Sequence, residues 1–181
     1  MNSLENKMVE LLLDMKKNYS VIDLKAEFEA EGSRINELMR LKEIASNAGL
    51  SIAMKIGGGE AITDIFEAQK LGISAIVAPM IESSYALKKY LIALEKYVPE
   101  DTRKNIKFVA MIETIQGYRN VDEILAEDKN KFLNLISVGR VDLSGSLGLQ
   151  RNEINNEKVY QIVEEVFTKA KKRGLETVMG G

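Results

Sequence analysis

Two acidic residues, each placed just after a short apolar run, have the types and spacing expected of a metal site. Glu113 lies in MIETIQGYRNVDEI (111–124), and Asp142 lies in SVGRVDLSGSLG (137–148). The chain has no His and no Cys, so side-chain ligands would be oxygen atoms, which favour hard ions such as Mg²⁺ or Mn²⁺ over Zn²⁺. We therefore predict that Glu113 and Asp142 are metal ligands. The simpler alternative is that both acids are ordinary polar residues at strand ends.

The missing histidine and cysteine also limit the possible chemistry. Ser-His and Cys-His catalysis, HExxH zinc sites and disulfide bonds are all excluded. Chemistry must then use Asp, Glu, Lys, Arg, Tyr, hydroxyl groups or backbone amides. The absence of Cys is also typical of a cytoplasmic protein, which is our expectation for the location.

The composition is that of a folded globular chain. Of the 181 residues, 45% are hydrophobic and 29% are charged. The net charge of −2 gives no electrostatic reason to bind nucleic acid or a membrane. The N-terminal stretch mixes charges with apolar residues, so it resembles neither a signal peptide nor a membrane span. Its apolar residues recur at helical spacing and predict an amphipathic helix laid on the core: Leu4, Met8, Leu11, Leu12 and Met15.

After that helix the chain alternates between apolar strands and amphipathic helices. The predicted strands are Tyr19–Phe28, Leu50–Ile56, Ile73–Met80, Lys107–Glu113, Phe132–Gly139 and Leu175–Gly180. Most are continuous apolar runs, which are typical of a parallel sheet covered by helices. Such alternation fits a (β/α)8 barrel or a doubly wound sheet. Because a complete barrel takes about 250 residues, the chain is either an open sheet or a barrel that lacks its last two β/α units.

Charged residues follow successive predicted strands. They are Lys25, Glu27, Lys55, Glu82, Glu113, Arg140 and Asp142. The carboxyl ends of parallel strands converge on one rim, where active sites lie. We therefore predict that these side chains share one site, although any one of them alone could be a helix cap or a solvated loop charge. Lys25 and Glu27 are two residues apart, so they point to the same side of their strand.

The stretch GRVDLSGSLG (139–148) has small residues that let backbone amides approach an anion closely. Together with Arg140 or Lys55, these amides would hold a substrate carboxylate, and Ser144 in the same stretch is a further substrate-binding candidate. A metal ion touching that substrate would stabilise the enolate of a 2-oxo acid. The loop GGGEA (57–61) could also hold an anion. It matches no phosphate-loop pattern, so a flexible connection is the simpler interpretation.

The two acid motifs, MIETIQGYRNVDEILAE (111–127) and SVGRVDLSGSLGL (137–149), resemble the metal motifs of the HpcH/HpaI aldolase and citrate lyase beta-subunit family. This family belongs to the phosphoenolpyruvate/pyruvate barrel superfamily. LGISAIVAPMIESSYALKKYL (71–91) and VIDLKAEFEAEG (21–32) are similar to other segments of the family. The resemblance implies a (β/α)8 barrel, Mg²⁺ or a similar ion, and aldol-type or Claisen-type carbon–carbon cleavage.

Carried over by this resemblance, Glu113 and Asp142 match the metal ligands, and the backbone at Val141 and Asp142 matches the part that holds the substrate carboxylate. Glu82 lies where the aldolase branch has an acid after its third strand. Lys55 lies near the family's substrate-binding arginine, and a lysine is a point charge without a bidentate fork.

The sequence also departs from the family in ways that indicate a divergent branch. The aldolase branch has a histidine after its first strand, where this chain has Ala26 or Glu27. Met111 replaces the glutamine two residues before the metal glutamate, and Arg140 replaces a small residue or proline in the second motif.

Together these features predict one incomplete β/α barrel domain over residues 1–181, a TIM-type barrel truncated after about six strands, with an N-terminal helix. The predicted function is metal-dependent cleavage of a small 2-oxo or hydroxy-oxo acid, in which Lys25, Glu27, Glu82 or a metal-bound water transfers the proton. A lysine Schiff base is a less favoured route. The alternatives are an acyl-CoA thioester lyase and a non-catalytic metabolite-binding or assembly barrel. The expected partners are a small carboxylate substrate and, for a full-length chain, further copies in a homo-oligomer, because the resemblance implies that the last β/α units close the barrel and help to assemble oligomers. Without those units the open strand edges would be an association hazard.

Overall fold

The computed structural model describes all 181 residues and contains six parallel strands in the predicted alternation with helices. The strands are β1 (Asp23–Glu27), β2 (Ser51–Lys55), β3 (Ala75–Ala78), β4 (Lys107–Ile112), β5 (Leu135–Gly139) and β6 (Glu176–Gly180). Each lies inside a predicted strand, but β1 starts four residues later than predicted. The reason is that the N-terminal helix continues to Tyr19, and Ser20 then ends it in the left-handed conformation (φ 57°).

The helices cover the segments between the strands. They are α1 (Ser3–Tyr19), α2 (Ile35–Asn47), α3 (Ile62–Leu71), α4 (Ser84–Tyr97), α5 (Glu100–Arg103), α6 (Ile115–Arg119), α7 (Val121–Glu127), α8 (Arg140–Ser146) and α9 (Glu157–Lys172). A short 3₁₀ helix, Arg151–Glu153, precedes α9. None of the helices has both the length and the apolar composition needed to cross a membrane.

The strand order identifies the sheet as part of a barrel. The strands pair in chain order from β1 to β6, whereas a doubly wound sheet reverses its order near the middle. One cavity of about 590 Å³ is lined by residues from all six strands, so the sheet curls around it. The predicted TIM-type barrel fold is thereby confirmed over six strands, and β1 and β6 are the sheet edges.

The two faces of the curled sheet are packed differently because successive side chains point to opposite faces. Residues such as Ile52, Met54 and Ile136 face outwards and form the main core with the helices. The inner face carries a smaller apolar cluster of Ala75, Val77, Val109 and Met111.

The register places the carboxyl ends of the strands side by side. Glu27 at the end of β1 pairs with Lys55 at the end of β2. Gly139 at the end of β5 pairs with Gly180 of β6. The predicted convergence of polar strand ends on one rim follows from this parallel register.

The prediction for the N-terminal helix is right about the helix and wrong about part of its buried face. Helix α1 packs against α2, and Leu12 is its buried leucine. Leu4, Met8 and Leu11, which were expected on the core, are exposed. The helix lies beside α2, and the face that it turns to α2 includes Glu5, which pairs with Arg40.

Candidate active site

Glu113 follows β4 directly and is the most buried charged residue of the rim. Glu113 is only 2% exposed. Its Oε1 accepts a hydrogen bond from the backbone N–H of Met80 at 2.9 Å. Burial raises the pKa of Glu113; the Met80 amide and the Lys55 charge oppose this rise, while nearby Asp142 adds to it. Burial and the Asp142 charge therefore disfavour the ionised form of Glu113, and additional positive charge beside it would stabilise that form.

Gly139, at the end of β5, makes the position of Glu113 possible. A Cβ atom at residue 139 would lie 2.6 Å from Glu113 Oε2 and 3.0 Å from Glu113 Cβ. The first distance is shorter than real Cβ contacts and the second is at their tight limit, so a larger residue would displace the carboxylate. Glycine is required here for space, since Gly139 has φ −89°, which every residue can adopt.

Asp142 approaches Glu113 from the first turn of α8, which begins immediately after β5. Asp142 is close enough for its negative charge to raise the pKa of Glu113. Asp142 itself is exposed. The structure thus brings together the two predicted metal ligands, one buried and one open to solvent. The chain forms no cluster of three or more acidic side chains with metal-site geometry.

Lys25, Glu27 and Lys55 form a second charged group on the same rim. Glu27 Oε1 accepts a hydrogen bond from Lys25, and Glu27 Oε2 lies 3.5 Å from Lys55 Nζ. Burial favours the neutral form of Glu27, but the hydrogen bond from Lys25 and the charges of Lys25 and Lys55 together lower its pKa. Glu27 is therefore held ionised between two lysines, and the group carries a net charge of +1.

Glu82 connects two loops of the rim. Its Oε1 accepts a hydrogen bond from Thr114 Oγ1 at 2.6 Å, and its backbone carbonyl accepts one from Asn120 Nδ2 at 2.7 Å. Thr114 is the residue after Glu113 and also caps α6, where its Oγ1 accepts from Gly117 N. In this arrangement Glu82 orders the segment that follows Glu113.

The remaining substrate-binding candidates are placed differently from one another. The Arg140 guanidinium is turned towards the end of β6, where it donates to Asn155 Oδ1 at 2.8 Å and to the Gly181 carbonyl at 3.1 Å. Val141 is half-buried beside Asp142. Ser144 is fully buried, and its Oγ has no hydrogen-bond partner. The Arg140 guanidinium thus has partners near the end of β6, and the Ser144 hydroxyl is buried and unpaired.

The glycine loop after β2 is flanked by acids. The Gly57 N–H donates to Asp64 Oδ2 at 2.7 Å, and a Cβ at Gly57 would lie 2.7 Å from Glu29 Cγ. Because a carboxylate already accepts the Gly57 amide, an anion would meet like charge at this loop. The loop geometry favours a tight connection over a phosphate site.

A comparison with known protein families agrees with this geometry. The profile of the HpcH/HpaI aldolase/citrate lyase family matches residues 19–180, which is the whole chain from the end of α1 onwards. The chain belongs to the HpcH/HpaI aldolase/citrate lyase family. No curated protein is similar enough to be matched with significance.

Solved structures of similar fold include members of the same family. The citrate synthase SbnG is 19% identical, with a TM-score of 0.78, 96% coverage of this chain and 73% coverage of its own. An HpcH/HpaI aldolase/citrate lyase family protein from Burkholderia cenocepacia J2315 is 15% identical, with a TM-score of 0.72 and coverages of 99% and 84%. RipC from Yersinia pestis is 18% identical, with a TM-score of 0.59 and coverages of 86% and 67%. At these identities the likeness shows the shared fold.

Two residues that contact Glu113 in this structure, Gly139 and Met80, were not predicted from the sequence to have a role. Gly139 was quoted within a motif without a role, although a glycine between a buried strand and a helix is a signal of close packing. Met80 holds Glu113 through its backbone, and it does so with a positive φ of 52°. A methionine gives no sequence signal for this conformation, since left-handed residues are normally Gly, Asn or Asp.

Proposed function

We propose that this chain is the catalytic part of a divalent-metal-dependent carbon–carbon lyase or aldolase that acts on a small 2-oxo acid or hydroxy-oxo acid. The observation that carries the proposal is the buried Glu113 carboxylate beside Asp142, with Oε2 standing over Gly139. Membership of a family of aldolases and citrate lyases supports it.

The residues of the rim fit an ion such as Mg²⁺ or Mn²⁺. The two carboxylates supply hard oxygen donors, and their mutual repulsion is the kind that a divalent cation relieves. Magnesium is commonly bound by one or two carboxylates, with water and substrate in the other positions. Bound between Glu113 and Asp142, the ion would stabilise the negative charge that an enolate oxygen develops.

The other side chains of the rim have complementary tasks. Lys55 and the amides at Val141 and Asp142 hold the substrate carboxylate, and the net positive charge of the Lys25–Glu27–Lys55 group favours an anion. In the cleavage step the substrate hydroxyl loses its proton, the carbon–carbon bond breaks, and its electron pair becomes the enolate. In this proposal Glu27, whose pKa is lowered by its lysine neighbours, accepts this proton, and Lys25 takes part in its transfer.

The experiment that tests this proposal is a Mn²⁺ titration of the wild-type chain and of Glu113→Ala and Asp142→Ala variants. We expect each variant to bind Mn²⁺ at least about tenfold more weakly, because each loses a ligand. Glu29→Ala removes an exposed acid beside the Gly57 loop and serves as the control for general charge effects. Equal Mn²⁺ binding by the wild type and the two ligand variants would refute the metal site. Pyruvate release from hydroxy-oxo acids then measures the reaction.

A second candidate function is cleavage of an acyl-CoA thioester or synthesis of a related tricarboxylate. A specific observation favours it, because one of the similar structures is a citrate synthase and the family name includes citrate lyase. The sequence also departs from the aldolase branch of the family at Met111, where that branch has a glutamine. Release of acetyl-CoA from hydroxyacyl thioesters, without pyruvate release from hydroxy-oxo acids, would favour this second function.

A further inference from the structure

The connection after β3 contains a strained residue at the rim. Met80 has φ 52°, and among the residues other than glycine only Ser20 and Lys131 share a positive φ. The left-handed conformation brings the Cβ of an L-residue close to its own carbonyl and costs free energy. A strained residue persists only where its surroundings hold it.

The conformation of Met80 directs one backbone amide at one carboxylate. The Met80 N–H donates to Glu113 Oε1 at 2.9 Å. The next amide, that of Ile81, donates to the Met111 carbonyl at 3.1 Å, so the chain returns to β4 immediately. Pairing with β4 is thus interrupted at Met80 alone, and the Met80 N–H donates to Glu113 instead.

The two oxygens of Glu113 are consequently distinct. Oε1 is fixed by the Met80 amide, whereas Oε2 stands over Gly139, where there is room for no Cβ atom. The side chain of Met80 makes no comparable contribution, since the residue is 47% exposed. What the site uses is the backbone of residue 80.

We propose that Met80 is a positioning residue: its left-handed backbone holds Glu113 Oε1 and so presents the carboxylate for metal binding. The proposal rests on the proposed function in so far as Glu113 is a metal ligand. It assigns the strain at residue 80 to ligand orientation, because groups that hydrogen-bond a metal ligand fix its orientation and affect metal affinity.

The test compares substitutions at two left-handed residues. Met80→Val places a β-branched side chain that strongly disfavours positive φ, and Met80→Gly keeps the conformation without a side chain. Lys131→Val and Lys131→Gly are the matched controls, since Lys131 has φ 55° in the connection between α7 and β5. We expect Met80→Val to weaken Mn²⁺ binding by about 10-fold to 100-fold. Met80→Gly should stay within about twofold of the wild type, and both Lys131 variants should bind Mn²⁺ normally.

The outcomes separate this proposal from the metal proposal. If Met80→Val binds Mn²⁺ as tightly as the wild type does, the positioning role is overturned. An equal loss of Mn²⁺ affinity in Met80→Val and Lys131→Val would also overturn it. If Met80→Val does not fold, replacing the Met80 amide by an ester removes the same donor while it keeps the side chain; Mn²⁺ binding that is about tenfold weaker supports the positioning role, and unchanged binding overturns it. If the wild type does not bind Mn²⁺, the metal site fails, and hydrogen exchange of the Met80 amide decides the remaining point. Faster exchange in Glu113→Ala than in the wild type supports the Met80–Glu113 link, and equal exchange refutes it.

Discussion

Replacing Gly139 with alanine should destabilise the protein, although the backbone at this position suits alanine. With φ −89° and ψ 101°, a Gly→Ala change would normally stabilise by about 0.4–1 kcal/mol, because the unfolded chain loses conformational freedom. Here the added Cβ would lie 2.6 Å from Glu113 Oε2 and 3.0 Å from Glu113 Cβ. The sign of the effect therefore reports whether Glu113 is packed over residue 139.

The magnitude follows from two opposing contributions. Overpacking a filled site costs about 1–3 kcal/mol, and displacement of Glu113 weakens its hydrogen bond from Met80, a bond to a charged group that contributes about 1.5–3 kcal/mol. These losses overlap, since moving the carboxylate relieves the overlap with Cβ. After the entropic gain, we expect a net loss of about 1–2 kcal/mol, or roughly 2–8 °C in melting temperature for a chain of this size.

The assay is thermal unfolding of five proteins, namely the wild type, the Gly139→Ala, Gly145→Ala and Glu113→Ala variants and the Gly139→Ala/Glu113→Ala double variant, together with Mn²⁺ titration. Gly145→Ala is the matched control, because Gly145 lies in α8 and a Cβ there would meet nothing within 4 Å. That variant should gain about 0.5–1 kcal/mol from helix propensity. Gly139→Ala in a Glu113→Ala background should lose its penalty, since the atoms that it overlaps are then absent. If Gly139→Ala instead raises the melting temperature and leaves Mn²⁺ affinity unchanged, the close packing of Glu113 on residue 139 is refuted.

Two further predictions concern stability. Because Lys25 and Lys55 outweigh burial and lower the pKa of Glu27, its contribution to stability is complete above the unfolded pKa of about 4.3 and is lost as the pH falls through the lower folded pKa. Near neutral pH the free energy of unfolding of the wild type should thus exceed that of Glu27→Gln by roughly 1 kcal/mol. Denaturant titrations should show this difference shrinking below about pH 4.3, and a difference that is constant with pH would contradict the pairing. Tyr90 is fully buried, and its hydroxyl donates to the Ile76 carbonyl at 2.9 Å. Tyr90→Phe should therefore lower the free energy of unfolding by about 1–2 kcal/mol in denaturant titrations. An unchanged unfolding midpoint would argue against that hydrogen bond.

The alternation of strands and helices could be predicted from the sequence because its causes are local. Apolar runs, helical spacing and glycines such as Gly72, which ends α3 in the left-handed conformation, act within a few residues of one another. The convergence of charged strand ends on one rim was also predictable, whereas the register that pairs Glu27 with Lys55 came from the structure. What periodicity could not show is which face of α1 would be buried, because that depends on the neighbouring helix.

Side-chain direction at the rim depended on contacts between residues distant in sequence. Arg140 was predicted to face the substrate, yet its guanidinium bonds to groups near the end of β6, including Asn155 and Gly181. Ser144 was predicted to bind substrate, yet the packing of α8 buries it completely. Neither position is visible in the motif itself, since the same residues could project either way until the neighbouring strand is in place.

By itself the sequence predicted the alternation of strands and helices and limited the kinds of chemistry that are possible. The absence of His and Cys restricts side-chain metal ligands to oxygen donors, and the acids after successive strands must converge because parallel strands end on one edge. Only the tertiary structure decided that Glu113 is buried, that Gly139 leaves space for one of its oxygens, and that Met80 holds the other. The physical reason is that each of these relations joins different strands, so it depends on packing distances that no local pattern encodes.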